Sequence, residues 1–385
     1  MISYEQAHQI VLAHTGDFGM EEIPLHQAIN RVLREDWHAD RDMPPYDRVT
    51  MDGIAILYNP SMTDGESLLI EEVAAAGEPQ KSLLDPQSCI EVMTGSILPR
   101  ATDTVIRYED VTIHDGIASI HTPIKKGQNI HRKGEDKSKG DVLLSAGIKL
   151  SPSEIGVGAT IGKKTVKVSR FPKTMIISTG DELVEIDEQP LDHQIRKSNV
   201  YRIAATLQHV GMQVDTAHVK DDFDEIIEKL ERILNQYNVV VLSGGVSMGK
   251  FDFLPQALEK LGVKKLFHKV SQRPGKPFWF GQHPNGCTVF ALPGNPVSSF
   301  MCTQVYLMDW LNASMGLKFD QKPTAVLLED VMFPKDLTYF LEVKISYGSA
   351  GEILAQPQKG HGSGDLTNLM LGDAFILLPR GQEVY

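Results

Sequence analysis

The sequence predicts an α/β multidomain protein, with a central doubly wound domain, a β-rich second domain, a discontinuous mixed domain and a small C-terminal β domain. Three observations carry that expectation. Three apolar runs each break into a glycine-bearing polar loop: Thr174-Met175-Ile176-Ile177 into Ser178-Thr179-Gly180-Asp181-Glu182, Val239-Val240-Val241-Leu242 into Ser243-Gly244-Gly245-Val246-Ser247, and Val289-Phe290-Ala291-Leu292 into Pro293-Gly294-Asn295-Pro296. Such β-branched runs read as strands buried on both faces, and in an open parallel sheet ligands collect at the carboxyl ends of the strands. From Lys173 to about Leu311 these runs alternate with helical patterns, the mark of right-handed β-α-β crossovers. Outside that stretch the chain shows short strand-like runs and turn pairs.

From the N-terminus, Ser3 and Gln6 stand at capping-box spacing before a helix with Ala7, Ile10 and Val11 on one side. Residues 1–40 and 128–170 are expected to form the discontinuous mixed domain. Residues 41–127 read as the β-rich domain, from Gly53-Ile54-Ala55-Ile56, Leu68-Leu69-Ile70 and Ala118-Ser119-Ile120 with the turn pairs Asp64-Gly65 and Asp115-Gly116. Residues 171–315 are expected to form the doubly wound domain. There Ser198-Asn199 reads as the cap of a helix through Ile203 and Leu207 to a stop at Gly211, Val214 to Val219 as a strand, and Asp222 with Glu225 as a second capping box. Phe300 to Leu311 reads as a helix. Residues 316–385 close the chain with strand-like runs at Ala325–Leu328 and Phe375–Leu378.

The length of 385 residues favours two to four domains. No run approaches the roughly 20 apolar residues of a membrane span, and Met1 to Ile10 lacks the unbroken apolar core of a signal peptide, so a cytoplasmic location is expected. Cys89, Cys287 and Cys302 lie far apart with no metal spacing and read as reduced, buried thiols. A formal charge of −12 argues against nucleic acid or an anionic membrane as partner. Basic residues at Lys125-Lys126, His131 to Lys133, Arg196-Lys197 and Lys269 to Lys276 read as solvated faces one at a time, yet they offer local attraction for a small anion.

The glycines of Ser243 to Gly249 let backbone N–H groups approach a phosphate, although tight turns before a helix explain them equally well. The loop matches neither GxxxxGK[ST] nor GxGxxG. Pro293 to Ser299 is more pointed: two prolines stiffen it and Ser298 stands where a helix starts, a pattern suited to an anion. Asp52, Asp136, Asp181, Glu182, Asp221 and Asp252 sit at loops where folding does not demand acids. Acids beside phosphate loops repel an anionic substrate unless a divalent cation intervenes, which makes Mg2+ the natural companion. Asp52 also reads as an ordinary Asp-Gly turn residue. Lys269, Arg273 and Lys276 place cations beside the rigid Arg273-Pro274-Gly275-Lys276-Pro277 turn, suited to an oxyanion.

Taken together, Pro44 to Asp47, Met51-Asp52-Gly53, Met93-Thr94-Gly95, Gly127 to Asp136, Ser178 to Leu183, Ser243 to Ser247, Pro274 to Pro277 and Leu292 to Ser298 resemble, in this order, the molybdopterin molybdenumtransferases of the MoeA and gephyrin E-domain family. The resemblance implies a central molybdopterin-binding domain in an elongated four-domain homodimer. It implies insertion of molybdenum from molybdate into adenylylated molybdopterin, with Mg2+-dependent release of AMP, downstream of a molybdopterin adenylyltransferase. Under it Asp52 and Thr94 reach in from the partner subunit. Asp52, Asp136, Glu182, Asp221 and Asp252 are the implied catalytic acids, with Glu182, Asp221 and Asp252 on the metal. Substrate contacts fall to Ser178, Thr179, Gly180, Ser198, Asn199, Gly244, Gly245, Ser247, Pro293, Gly294, Asn295 and Pro296, and oxyanion contacts to Arg273, Lys276 and Ser298, with Lys269 a further substrate-binding candidate from its place near the turn. Two departures stand out: Lys197 occupies the place of a usual acid, and Lys344 is the nearest basic residue to an expected strand arginine. A non-catalytic scaffold, a tungsten-inserting homologue and a nucleotide-dependent oxidoreductase are the competing readings; the last lacks its GxGxxG loop.

Overall fold

The structure is a computed structural model that describes residues 1–62, 65–246, 253–317 and 322–385. The chain divides into two compact units, residues 1–34, 146–155 and 165–385 in one and residues 35–145 and 156–164 in the other.

The larger unit is organised by a six-stranded sheet in the order Asp215–Val219, Thr174–Thr179, Val239–Ser243, Thr288–Leu292, Trp279–Gln282, Lys264–His268. The first four strands are parallel in register, Ile176 facing Thr216 on one side and Val241 on the other. Trp279–Gln282 runs antiparallel to both its neighbours, so the parallel pattern read from the three apolar runs covers only part of the sheet. Every residue of Thr174–Thr179, Val239–Ser243 and Thr288–Leu292 is buried. Strand alternation explains why. Ile176, Val241, Phe290 and Leu292 pack to one face with Ile203, Leu207, Tyr306 and Trp310. Ile177, Val240, Leu242 and Val289 pack to the other with Ile226, Leu230, Leu254 and Leu258. Each such aliphatic side chain contributes about 1.5–3 kcal/mol on burial.

Helices cover both faces. Phe223–Gln236 buries Ile226, Leu230 and Leu234 at spacings of one helical turn, and the Asp222 carboxylate caps it by accepting from the Asp224 and Glu225 amides. The expected capping box is only half made, because Glu225 turns to Lys229 at 2.6 Å. Asn199–His209 starts without a side-chain cap from Ser198, contrary to the sequence expectation; the asparagine beside it is engaged in the site below. A helical rod runs from Pro296 to Ser314 with a π-helical stretch at Thr303–Leu307, earlier and longer than the expected Phe300 start. The Tyr4–Ala13 helix carries the expected capping box and lies near the rod, with Trp310 Nε1 donating to the His14 carbonyl at 2.8 Å. Met20–Pro24 pairs with Thr165–Ser169 across the intervening chain. The C-terminal strands Thr338–Tyr347, Ile353–Pro357 and Ala374–Leu378 form a second sheet, joined by Val326–Leu327 and Gln272–Arg273.

The smaller unit holds another six-stranded sheet, ordered Thr104–Arg107, Gly53–Ile56, Ser88–Val92, Ser67–Ala74, Ile117–Ile120, Val111–His114. Ile54, Ile56, Ile90 and Ile106 fill its interior. All three cysteines are buried and free, as read from their spacing, and burial pushes the Cys89 and Cys287 thiols up to about 12. No helix among the described residues is long and apolar enough to cross a membrane.

Candidate functional site

A cleft of 680 Å³ opens at the carboxyl ends of the parallel strands. Its lining brings together Ser178, Thr179, Gly180, Glu182, Ser198, Asn199, Asp221, Gly244, Gly245, Pro293, Gly294, Asn295 and Pro296, all of them singled out from sequence. Asn199 ties the strand ends: its Nδ2 donates to Ser243 Oγ at 3.0 Å and to the Gly294 carbonyl at 2.7 Å. The Gly244 amide donates to the Leu292 carbonyl at 3.1 Å. Gly244 must be glycine, since at φ +106° a Cβ there would stand 2.9 Å from the Thr179 carbonyl and hydroxyl oxygens. Gly180, at φ +131°, leaves room for the Glu182 carboxylate, which a Cβ would meet at 2.3 Å. The Asp221 amide donates to Asp181 Oδ1 at 3.2 Å and so joins two acidic loops.

Two further residues bear on this cleft: Lys197, which the sequence reading marked as a departure, and His218, which it passed over. Lys197 lines it, and its buried ammonium pairs with the half-exposed Glu185 carboxylate. The lysine that departs from the usual acid is therefore neutralised within its own loop. His218 stands beside Thr179's strand, with Nδ1 2.9 Å from Ser178 Oγ. Burial, then the Lys197 charge, pushes the imidazole below its ordinary value. No local sequence signal marks it, since the register that sets Ser178 opposite His218 comes from strand pairing.

A second cavity of 420 Å³ shares Pro277, Pro293 and Asn295 with the first. Arg273, Lys276 and Ser298 line it, joined by Ser363 and by two residues the sequence reading did not name, Lys335 and Glu342. Arg273 lies 5.9 Å from the ring centroids of both Phe333 and Tyr339, which stack at 4.3 Å. Buried Gln272 donates to the Gly275 carbonyl at 3.2 Å and accepts from Tyr306 Oη, which fixes the turn carrying Arg273 and Lys276. The start of the rod is less open than expected. Ser298 is buried, the Val297 amide donates to the Ser363 carbonyl at 3.1 Å, and Asn295 Nδ2 donates to Ser363 Oγ at 2.8 Å. Lys269 lines neither cavity; its amide and carbonyl bond Phe278 and Ile2. Lys344 is also absent from both linings, and Lys335 supplies the C-terminal cation instead.

In the smaller unit Asp52 Oδ1 accepts from the Thr94 amide at 2.6 Å, and this bond holds the exposed carboxyl below its usual range. Asp136 Oδ1 is 2.9 Å from His131 Nε2. Ser247 and Asp252 lie outside the described residues, as does Asp64 of one expected turn.

Family models for the MoeA N-terminal region (domain I and II), a probable molybdopterin binding domain and the MoeA C-terminal region (domain IV) match residues 2–162, 175–313 and 324–385. The molybdopterin molybdenumtransferase of Synechocystis sp. is 40% identical over 100% of this chain and 97% of its own length. The chain belongs to the MoeA family. A molybdopterin molybdenumtransferase of Staphylococcus epidermidis is 30% identical to this MoeA-family chain, covering 99% of it and 92% of the relative. The crystal structure of the molybdopterin biosynthesis moeA protein from Pyrococcus horikoshii OT3 superposes with a TM-score of 0.86 at 28% identity, over 100% of this chain and 97% of that one. The domain layout and the mixed α/β architecture are thus those of MoeA proteins.

Proposed function

We propose that this chain inserts molybdenum, delivered as molybdate, into adenylylated molybdopterin and releases AMP in a Mg2+-dependent step. Membership of the family makes it a transferase of molybdenum cofactor biosynthesis. One observation carries the finer reading: two cavities share a wall of Pro277, Pro293 and Asn295, one with acids and glycine turns at strand ends, the other with Arg273, Lys276 and Lys335. The first suits a pterin with its phosphate. The second suits a tetrahedral oxyanion, which fixed cations draw in and orient.

The donor set of the first cavity fits Mg2+. Glu182 and Asp221 present hard carboxylate oxygens, and no group of three potential ligands stands among the described residues. Mg2+ takes one or two carboxylates together with substrate phosphate oxygens rather than an all-protein cage. Glu182 and Asp221 would hold it, with Asp252 assigned from the sequence motif alone. When bound it would neutralise charge on the departing phosphate. The chain's own residues do the rest: Asn199 fixes the relative placement of two loops, Lys197 is spent on Glu185 rather than on substrate, and Ser178 offers a hydroxyl oriented by His218.

The same proposal includes a cytoplasmic homodimer in which Asp52 and Thr94 serve the partner subunit's cleft, Asp136 takes part in transfer, and a molybdopterin adenylyltransferase supplies the substrate. The test is to mix purified protein, adenylylated molybdopterin and Mg2+ and to follow AMP. AMP that appears only after molybdate is added supports the reading. Release independent of molybdate, or none at all, overturns it.

A further inference from the structure

We propose that Glu342 couples oxyanion binding to the uptake of a proton: a tetrahedral dianion entering beside Arg273 and Lys276 binds together with one proton, which Glu342 holds. This deepens the oxyanion reading of the second cavity and rests on it.

Glu342 lies on the Thr338–Tyr347 strand and is half-buried. It lines the 420 Å³ cavity and also a neighbouring one of 530 Å³. Its Oε2 accepts from Asn368 Nδ2 at 2.6 Å, and Asn368 is itself buried and anchored through its amide to Asp365 Oδ1 at 3.2 Å. The cavity also holds Arg273, Lys276 and Lys335, yet Glu342 forms no ion pair among the described residues. Burial raises the carboxyl above its ordinary value, the Asp365 charge adds to this, and the Asn368 bond opposes it. Tyr339 faces the cavity from the same strand, His361 and Asp365 pair at 3.2 Å in the adjoining loop, and Lys322 and Asp373 line the neighbouring cavity.

The conflict is between like charges. Three cations attract a dianion into a space where an ionised carboxylate would repel it, and taking up one proton removes the repulsion. The neutral carboxyl then donates its O–H to an anion oxygen while the other carboxyl oxygen keeps accepting from Asn368. Solvent supplies the proton, and no covalent bond changes.

Calorimetric titration of the full chain with sodium molybdate, in buffers of different ionisation enthalpy, reads the proton count directly. We expect uptake approaching one proton per molybdate near pH 8, and affinity rising about tenfold per unit fall in pH while the free carboxyl is ionised. Glu342→Gln keeps a donor and the acceptor for Asn368 but has no titration, so its binding should be flat with pH and free of proton uptake. Glu342→Asp should retain the uptake. Wild-type binding without proton uptake, or an unchanged pH slope in the Gln variant, overturns the proposal. Should the Gln variant fail to fold by circular dichroism, the wild-type proton count alone decides. Lys276→Ala separates the two readings. If that change weakens molybdate binding about tenfold or more while the wild type takes up no proton, only the Glu342 role falls; if it leaves binding unchanged, or the wild type binds no molybdate, the oxyanion reading falls and takes this one with it.

Discussion

The two cavities are built in opposite ways. The first is made mainly of loops that each follow a buried strand, so its residues arrive in short consecutive clusters such as Ser178 to Gly180, Ser243 to Gly245 and Pro293 to Pro296. The second gathers single residues from distant segments: Arg273 and Lys276 from a turn, Ser298 from a helix start, Lys335 and Glu342 around a C-terminal strand, Ser363 from a late loop. A cleft that backbone geometry forms is fixed by glycines and prolines, whereas a cavity that side chains form is set by which charges meet. The first should therefore break through backbone changes and the second through loss of charge.

The largest effect is expected at Glu182. Glu182→Gln should slow AMP release roughly 10²–10³-fold with the fold intact, because it removes a carboxylate that would hold Mg2+ against the departing phosphate; a wild-type rate would remove this acid from the chemistry. Gly244→Ala should abolish pterin binding and cost roughly 1–3 kcal/mol of stability, since the side chain must crowd Thr179 in a strained backbone region. A normal melting temperature with normal pterin affinity would break the view that backbone shape governs this cleft. Lys276→Ala should raise the molybdate concentration for half-maximal activity about tenfold, roughly the 1.4 kcal/mol of one lost charge-assisted contact, while pterin affinity holds. Equal weakening of both would erase the distinction between the cavities. Tyr306→Phe removes the donor that steadies Gln272 beneath the cationic turn and should cost about 1 kcal/mol in a denaturant titration.

The smallest effect concerns pH. Burial and the Lys197 charge depress the His218 pKa below 6.5, so the unfolded chain takes up this proton before the folded one. Stability from this residue is fully present above pH 6.5 and declines as pH falls below it toward the folded value. His218→Gln should flatten that decline in melts taken across the acid range. An unaltered pH profile would show that the imidazole is not held neutral beside Ser178.

The strands and helices of the central sheet were readable because each is announced locally, by an apolar run, a cap or a glycine. The Ser3 capping box and the buried runs stand as expected. Where local signals misled, a tertiary partner had claimed the group. Ser198 does not cap its helix, Glu225 prefers Lys229, and the Val297 amide is taken by Ser363. Lys197 looked like a departure at the substrate site, but its charge is answered by Glu185, twelve residues away in sequence.

Sequence alone determined the buried strands, the glycine turns at their ends and the family, because steric limits on φ and the two-residue period of a strand act over a few neighbours. The reversed strand Trp279–Gln282, the Ser178–His218 pairing, and the meeting of Arg273, Lys276, Lys335 and Glu342 were decided only by the tertiary structure. Charges carry no local signature of their neighbours: what a carboxylate or an ammonium does depends on burial and on partners that only chain folding brings within reach.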